Sequence, residues 1–162
     1  MIGYITGILS VKTETGILVE TGGIGYEIQI PGNSHLHLER EGAEVTVHTA
    51  MIVREDDLSL YGFDDRSSLA LFRQLITVSG VGAKAAMSLI SAMTADDVRR
   101  AIVFEDAASL TRAPGIGKKT AQRIVLDLKD KLTAPAVSAE TLRGSGADTA
   151  APSDNPRAEA LA

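Results

Sequence analysis

One ten-residue pattern occurs twice in this chain, and it constrains the fold more than any other feature. Leu75-Ile-Thr-Val-Ser-Gly-Val-Gly-Ala-Lys84 is answered by Leu110-Thr-Arg-Ala-Pro-Gly-Ile-Gly-Lys-Lys119, which places Gly80 and Gly115 35 residues apart. Each copy has apolar residues at its first and fourth positions and inside a Gly-apolar-Gly triplet, and a lysine follows almost at once. The first triplet leads into Ala86, Leu89, Ile90 and Met93. The second leads into Ala121, Ile124, Val125, Leu128 and Leu132. Both series recur with the spacing of one helix face, so each triplet reads as a tight turn joining two helices.

Such a turn has a definite chemistry. Its glycines, Gly80 and Gly82 or Gly115 and Gly117, allow backbone angles closed to other residues and let another molecule come close to the main chain. The apolar residue between them, Val81 or Ile116, can tuck inward and pin the loop. Ser79 and Pro114 lead into the two turns. The first amides of the outgoing helix lack partners within it and lie at its positive end, which favours a phosphate or another anion. Lys84, Lys118 and Lys119 add charge at the same place, and Arg123 follows one turn later. Two such sites at a fixed separation suit two phosphates of a nucleic-acid backbone.

Other readings of the triplets fare worse. A dinucleotide fingerprint needs a preceding strand and a third glycine, and neither copy has them. A P-loop needs glycine where Arg112 stands and Ser or Thr where Lys119 stands. An ordinary glycine turn between packed helices explains one copy equally well, while a matched pair, each followed by lysine, favours the nucleic-acid reading.

The net charge of −5 is unpromising for a nucleic-acid binder until it is resolved along the chain. Residues 1–64 hold three Lys/Arg against ten Asp/Glu, a net of −7, whereas residues 65–143 hold twelve against eight, a net of +4. The positive charge coincides with the duplicated turns. Cysteine is absent, which removes disulfides, thiol nucleophiles and Cys-based zinc sites. Met1-Ile-Gly-Tyr-Ile5 lacks a basic leader, and no apolar run approaches membrane-spanning length, so a soluble, cytoplasmic protein is expected.

The acidic region reads as strands: Ile2–Ser10, Ile17–Thr21, Ile24–Ile30, Val45–Val53 and Leu58–Phe63, with Gly22-Gly23 as a hairpin turn. Five strands in 64 residues point to a small barrel of the OB type, and Tyr4, Tyr26, Tyr61 and Phe63 read mostly as its core. From Asp64-Asp65 the period becomes helical. Thr94-Ala-Asp-Asp97 resembles a capping box, Asp106 opens a short helix before the second turn, and about five short helices end near Leu132. Beyond Thr133, Pro, Gly and Ser in aperiodic sequence predict a flexible linker. The expected organisation is α+β and multi-domain. It comprises an OB-fold β-barrel over 1–64, an all-α unit over 65–143, a linker over 144–152 and, over 153–162, the stub of a further domain.

Several motifs together resemble the RuvA family of proteins that recognise Holliday junctions. Met1-Ile-Gly3, Gly23-Ile-Gly-Tyr-Glu27, Val53-Arg-Glu-Asp56, Leu60-Tyr-Gly-Phe63, Ser79-Gly-Val-Gly82 and Pro114-Gly-Ile-Gly-Lys-Lys119 fit its pattern in order. The resemblance, which covers residues 1 to about 143, makes the paired turns helix-hairpin-helix motifs that grip the DNA backbone without reading sequence. It implies a non-catalytic homotetramer on four-way junctions, as one tetramer or two around the DNA, acting in recombination and repair. The implied partners are the RuvB motor ATPase and the RuvC resolvase, with no cofactor or metal. The resemblance also implies a third domain that contacts the motor, to which the stub over 153–162 could belong.

The resemblance also gives a role to Arg54-Glu-Asp-Asp57, which otherwise reads as a solvated acidic turn. Glu55 and Asp56 match the family's acidic pin at the centre of the tetramer, where carboxylates repel phosphates and favour strands that turn outward. Arg54 offers a phosphate contact on the same tip. Two other classes remain open. A helix-hairpin-helix glycosylase or nuclease would need an acidic base or metal cluster beside a base pocket. Asp127 and Asp130 stand roughly where such an acid would lie, but they interleave with Lys129 and Lys131 as solvated ion pairs. An OB-fold adaptor for single strands or protein would need stacking aromatics. His35 and His37, two apart on an extended stretch, lack a third ligand for a metal.

Overall fold

A computed structural model of the chain describes residues 1–134. Five strands form a closed barrel: β1 (Tyr4–Lys12), β2 (Gly16–Thr21), β3 (Ile24–Gln29), β4 (Glu44–Val53) and β5 (Leu58–Phe63). The order around it is β1-β2-β3-β5-β4, antiparallel throughout except where β3 and β5 pair in parallel at Ile28–Leu60 and Gln29–Tyr61. The two β3–β5 pairs close the barrel. Alternation sends Ile5, Leu9, Ile17, Val19, Ile28, Val45 and Val47 into one interior cluster. Gly22 and Gly23 both have positive φ, +59° and +79°, the geometry of a two-residue hairpin between right-twisted strands.

Three local expectations are corrected. The first strand runs from Tyr4 to Lys12 rather than from Ile2 to Ser10, and ahead of it the carbonyls of Ile2 and Gly3 accept from the hydroxyl and the amide of buried Thr49 (2.8 and 2.9 Å). His35–His37 is a 3-10 turn rather than extended chain. The Ser34 hydroxyl caps it, and its middle residue, Leu36, is buried in the barrel cluster. Tyr4 is 64% exposed and does not belong to the core.

Halfway along β4 the chain changes what it packs against. Val45 and Val47 face the barrel interior, whereas Ala50 joins Tyr61 and Phe63 of β5 in a second cluster shared with the helices. These helices are α1 (Arg66–Leu75), α2 (Ala83–Ala92), α3 (Ala95–Val103), α4 (Ala107–Leu110) and α5 (Lys118–Thr133). Fully buried Phe72 of α1 lies 5.3 Å from the Tyr61 ring and 5.0 Å from the Phe63 ring, an aromatic joint between barrel and helices. Polar contacts lock the same joint. The Gly32 amide donates to Ser91 Oγ (2.9 Å), Asn33 Nδ2 donates to the Ile90 carbonyl (2.8 Å), and Asp64 accepts from the Ser34 hydroxyl and the His35 amide.

Side chains cap three of the helices at their N-termini. Asp65 accepts from the Ser68 amide, Thr94 from the Asp97 amide, and Asp106 from the Ser109 amide. The Thr94 box is incomplete, since Asp97 takes the Thr94 hydroxyl rather than its backbone amide. The hydroxyl and amide of Ser109, with Arg112 nearby, hold the exposed Asp106 carboxyl below the ordinary carboxylate value. A lowered carboxyl contributes stability above its unfolded titration and loses it as pH falls through its folded value. The α4 cap therefore weakens on acidification. Glu105 just before it has φ +59° in a Schellman-type ending of α3, where Asp106 N donates to the Ala101 carbonyl (2.8 Å) and Glu105 N to that of Ile102 (3.2 Å).

The end of the 65–143 unit, the linker over 144–152 and the stub over 153–162 lie outside the described residues. Among the described residues, no helix is long and apolar enough to cross a membrane.

If the aromatic joint couples barrel to helices, Phe72→Ala lowers unfolding stability by about 3–5 kcal/mol in urea titration, still in one transition. A loss below about 1 kcal/mol, or two separate transitions, would show two independent units.

Candidate nucleic-acid interface

The two turns are copies in three dimensions. Leu75 and Leu110 end the incoming helices fully buried, and the fourth positions, Val78 and Ala113, are 3% and 1% exposed. The Val81 amide donates to the Val78 carbonyl (3.0 Å), as the Ile116 amide does to that of Ala113 (3.1 Å). Gly80 and Gly115 have φ +86° and +83°, a conformation that strains any other residue. Val81 and Ile116 are buried in the one cluster that also holds Ala86, Leu89, Ala121 and Ile124. Ser79, Gly80, Gly82, Pro114, Gly115 and Gly117 remain exposed. Each turn is thus pinned by one side chain and presents main chain to solvent.

The helices leaving the turns differ from the other three. Gly82 and Gly117 stand at their N-cap positions with extended backbone (φ −89° and −84°, ψ 178° and 172°), and no side chain caps either helix. The first intrahelical donations are from Ala86 to Gly82 (3.0 Å) and from Ala121 to Gly117 (2.9 Å), so the preceding amides are open to an outside acceptor. Neither first turn contains an acid, a feature shared with α1 and α4 but not with α3. Each instead carries lysine, Lys84 in α2 and Lys118 and Lys119 in α5, all exposed. Cations at the positive end of a helix oppose its dipole, and this opposition disappears when an anion sits between them. Among the described residues, no side chain supplies an anion or a cap to either end.

Arg123 is placed differently from the lysines. Its Nη1 donates to the Ser79 carbonyl of the first turn (3.3 Å), although Arg123 belongs to the helix of the second. Ser88, which the sequence reading did not single out, does the converse: its hydroxyl, on α2, donates to the Pro114 carbonyl of the second turn (2.7 Å). The 35-residue step carries Ser88 onto Arg123, and that was the available signal. Asp127 and Asp130 do not form the expected ion pairs with their helix neighbours among the described residues, where Lys129 pairs with Glu105 of the α3–α4 junction.

Arg54, Glu55, Asp56 and Asp57 form the β4–β5 hairpin tip, all exposed, with the Arg54 amide donating to the Asp57 carbonyl (2.8 Å). The Ser59 hydroxyl ties back the Asp57 carboxylate, while no side-chain partner holds Glu55 or Asp56 among the described residues. Val53 and Leu58, the pair below the tip, are 64% and 68% exposed.

Residues 1–62 match the family described as RuvA N terminal domain, and residues 72–130 match the SAM-like helix-hairpin-helix tandem. The Holliday junction branch migration complex subunit RuvA of Methylococcus capsulatus is 40% identical over 161 residues, covering 99% of this chain and 80% of that protein. The chain belongs to the RuvA family. The relative so named in Thioalkalivibrio sulfidiphilus is 42% identical with the same coverage. That of Lachnospira eligens is 48% identical over 132 residues, 82% of this chain and 64% of that protein. The motifs that carried the resemblance fall on the barrel, the tip and the paired turns.

Two measurements address the interface. A Cβ on Gly82 or Gly117 meets nothing within 4 Å, and neither φ is strained. Gly82→Leu with Gly117→Leu is thus expected to preserve the circular dichroism spectrum and melting curve while weakening DNA binding at least tenfold. Unchanged affinity would exclude close approach of phosphate to these turns. Lys118→Ala with Lys119→Ala is expected to flatten the slope of log K against log salt by about 2, close to one per lost phosphate contact. An unaltered slope would place both lysines away from the backbone.

Proposed function

We propose that this chain is a non-catalytic, structure-specific subunit that binds four-way DNA junctions through their backbones. The observation that carries this reading is the pair of matched, uncapped helix ends, each faced by lysine and anchored in one core. Such ends take phosphates without reading bases, so affinity is independent of sequence and falls steeply with salt. The contacts are the Gly80, Gly82, Gly115 and Gly117 amides, with Lys84, Lys118 and Lys119; Pro114 has no N–H, and the Val81 and Ile116 amides donate within their own turns.

Preference for a junction then needs an element that disfavours continuous duplex, and the tip over Arg54–Asp57 suits that task. In a four-fold assembly four copies of Glu55 and Asp56 meet at the centre, where their charge repels phosphates and turns strands outward, while Arg54 takes one at the margin. Exposed Val53 and Leu58 give that centre an apolar collar to bury. The relatives are named as subunits of a branch migration complex. We infer the same place for this chain: a tetramer, singly or as a pair enclosing the DNA, that holds the junction open for the RuvB motor and leaves it accessible to the RuvC resolvase.

Neutralising the tip tests the central repulsion by its sign. Glu55→Gln with Asp56→Asn is expected to change unfolding stability by no more than about 0.5 kcal/mol. Binding to plain duplex tightens, and the junction-to-duplex affinity ratio falls. A ratio equal to that of the unsubstituted protein would reduce the tip to a solvated turn.

A further inference from the structure

We propose that Ser88 and Arg123 are positioning residues that aim the Gly80 and Gly115 amides at DNA, each reaching from its own motif to the turn of the other. The step of 35 residues that carries Gly80 onto Gly115 also carries Ser79 onto Pro114 and Ser88 onto Arg123. Both members of this reciprocal pair are present: Ser88 Oγ on the Pro114 carbonyl at 2.7 Å, and Arg123 Nη1 on the Ser79 carbonyl at 3.3 Å. Two different side chains make the same contact at equivalent positions, which marks a geometric requirement rather than a chance surface bond.

The target of each bond explains its use. The accepting carbonyl belongs to the residue immediately before the positive-φ glycine, in the same peptide group as that glycine's amide. In a planar trans peptide the C=O and N–H point in opposite directions. Drawing the Ser79 carbonyl toward α5 therefore turns the Gly80 N–H away from it, and drawing the Pro114 carbonyl toward α2 does the same for Gly115. Neither glycine amide has an acceptor among the described residues. Glycine at φ near +85° resists peptide rotation less than other residues do, so a turn of this kind gains orientation from an outside tether. Because each tether crosses between motifs, it also fixes the distance between the two turns.

This inference rests on the proposed backbone recognition, and one set of variants separates the two. Ser88→Ala removes a neutral hydroxyl from a helix that tolerates alanine well. In the free protein, the Gly115 amide resonance is expected to shift and its hydrogen exchange to quicken, although residue 88 belongs to the other motif. Arg123→Met is expected to do the same to Gly80. Junction affinity of Ser88→Ala falls about fivefold, as for one lost hydrogen bond, with an unchanged salt slope because no cation is lost. An unmoved Gly115 amide, or wild-type affinity in Ser88→Ala, would overturn the tether. The amide readout needs no DNA, so failure of the unsubstituted protein to bind junctions would instead overturn the proposed function alone.

Discussion

Val81 and Ile116 share one apolar cluster, and the presentation of both turns depends on that anchorage. Each is the single residue between two glycines, and each is buried in the cluster that also holds residues of both outgoing helices. With the side chain held inside, the flanking glycines and the first helical amides have nowhere to point but outward. The same cluster extends through Phe72 to Tyr61 and Phe63, so the packing that pins the turns also fixes the barrel beneath the helices.

Local stability and function pull against each other at these turns. Three helices begin with a side-chain cap, which typically contributes about 1 kcal/mol, and the two that leave the turns begin with none. They carry lysine in the first turn, where a carboxylate would stabilise the helix. Both departures become favourable once a phosphate supplies the missing acceptor and charge. The acidic barrel tip is their electrostatic counterpart. Glu55 and Asp56 are exposed at the β4–β5 hairpin tip of the barrel, so acidic side chains stand there while lysines stand at the two uncapped helix ends.

Much of this was legible in the sequence because it is written in spacing. Alternation at Tyr26, Ile28 and Ile30 marked a strand, and the repeat of Gly-Val-Gly as Gly-Ile-Gly marked the turns and their burial pattern. Capping residues Asp65, Thr94 and Asp106 placed helix starts closely. What escaped depends on tertiary neighbours. His35 and His37 share an alternation that fits a strand, but Leu36 is buried in the barrel cluster and the segment coils into a 3-10 turn capped by Ser34. Tyr4 alternates like a core residue and faces solvent. Lys129 chooses Glu105, 24 residues away, over the acids on its own helix. Arg123 read as one more phosphate ligand, and only the approach of two turns in space reveals its bond to Ser79 and the matching role of Ser88.

The most direct test of backbone recognition at a junction is equilibrium binding of the unsubstituted chain, by fluorescence anisotropy, to three labelled DNAs. These are a four-way junction, a duplex built from one of its arms and the corresponding single strand, each measured across 50–200 mM salt. The account predicts tightest binding to the junction, the same affinity for junctions of unrelated sequence, and a steep loss with salt of about one decade per decade for each phosphate engaged. Equal affinity for junction and single strand, or binding indifferent to salt, would contradict it.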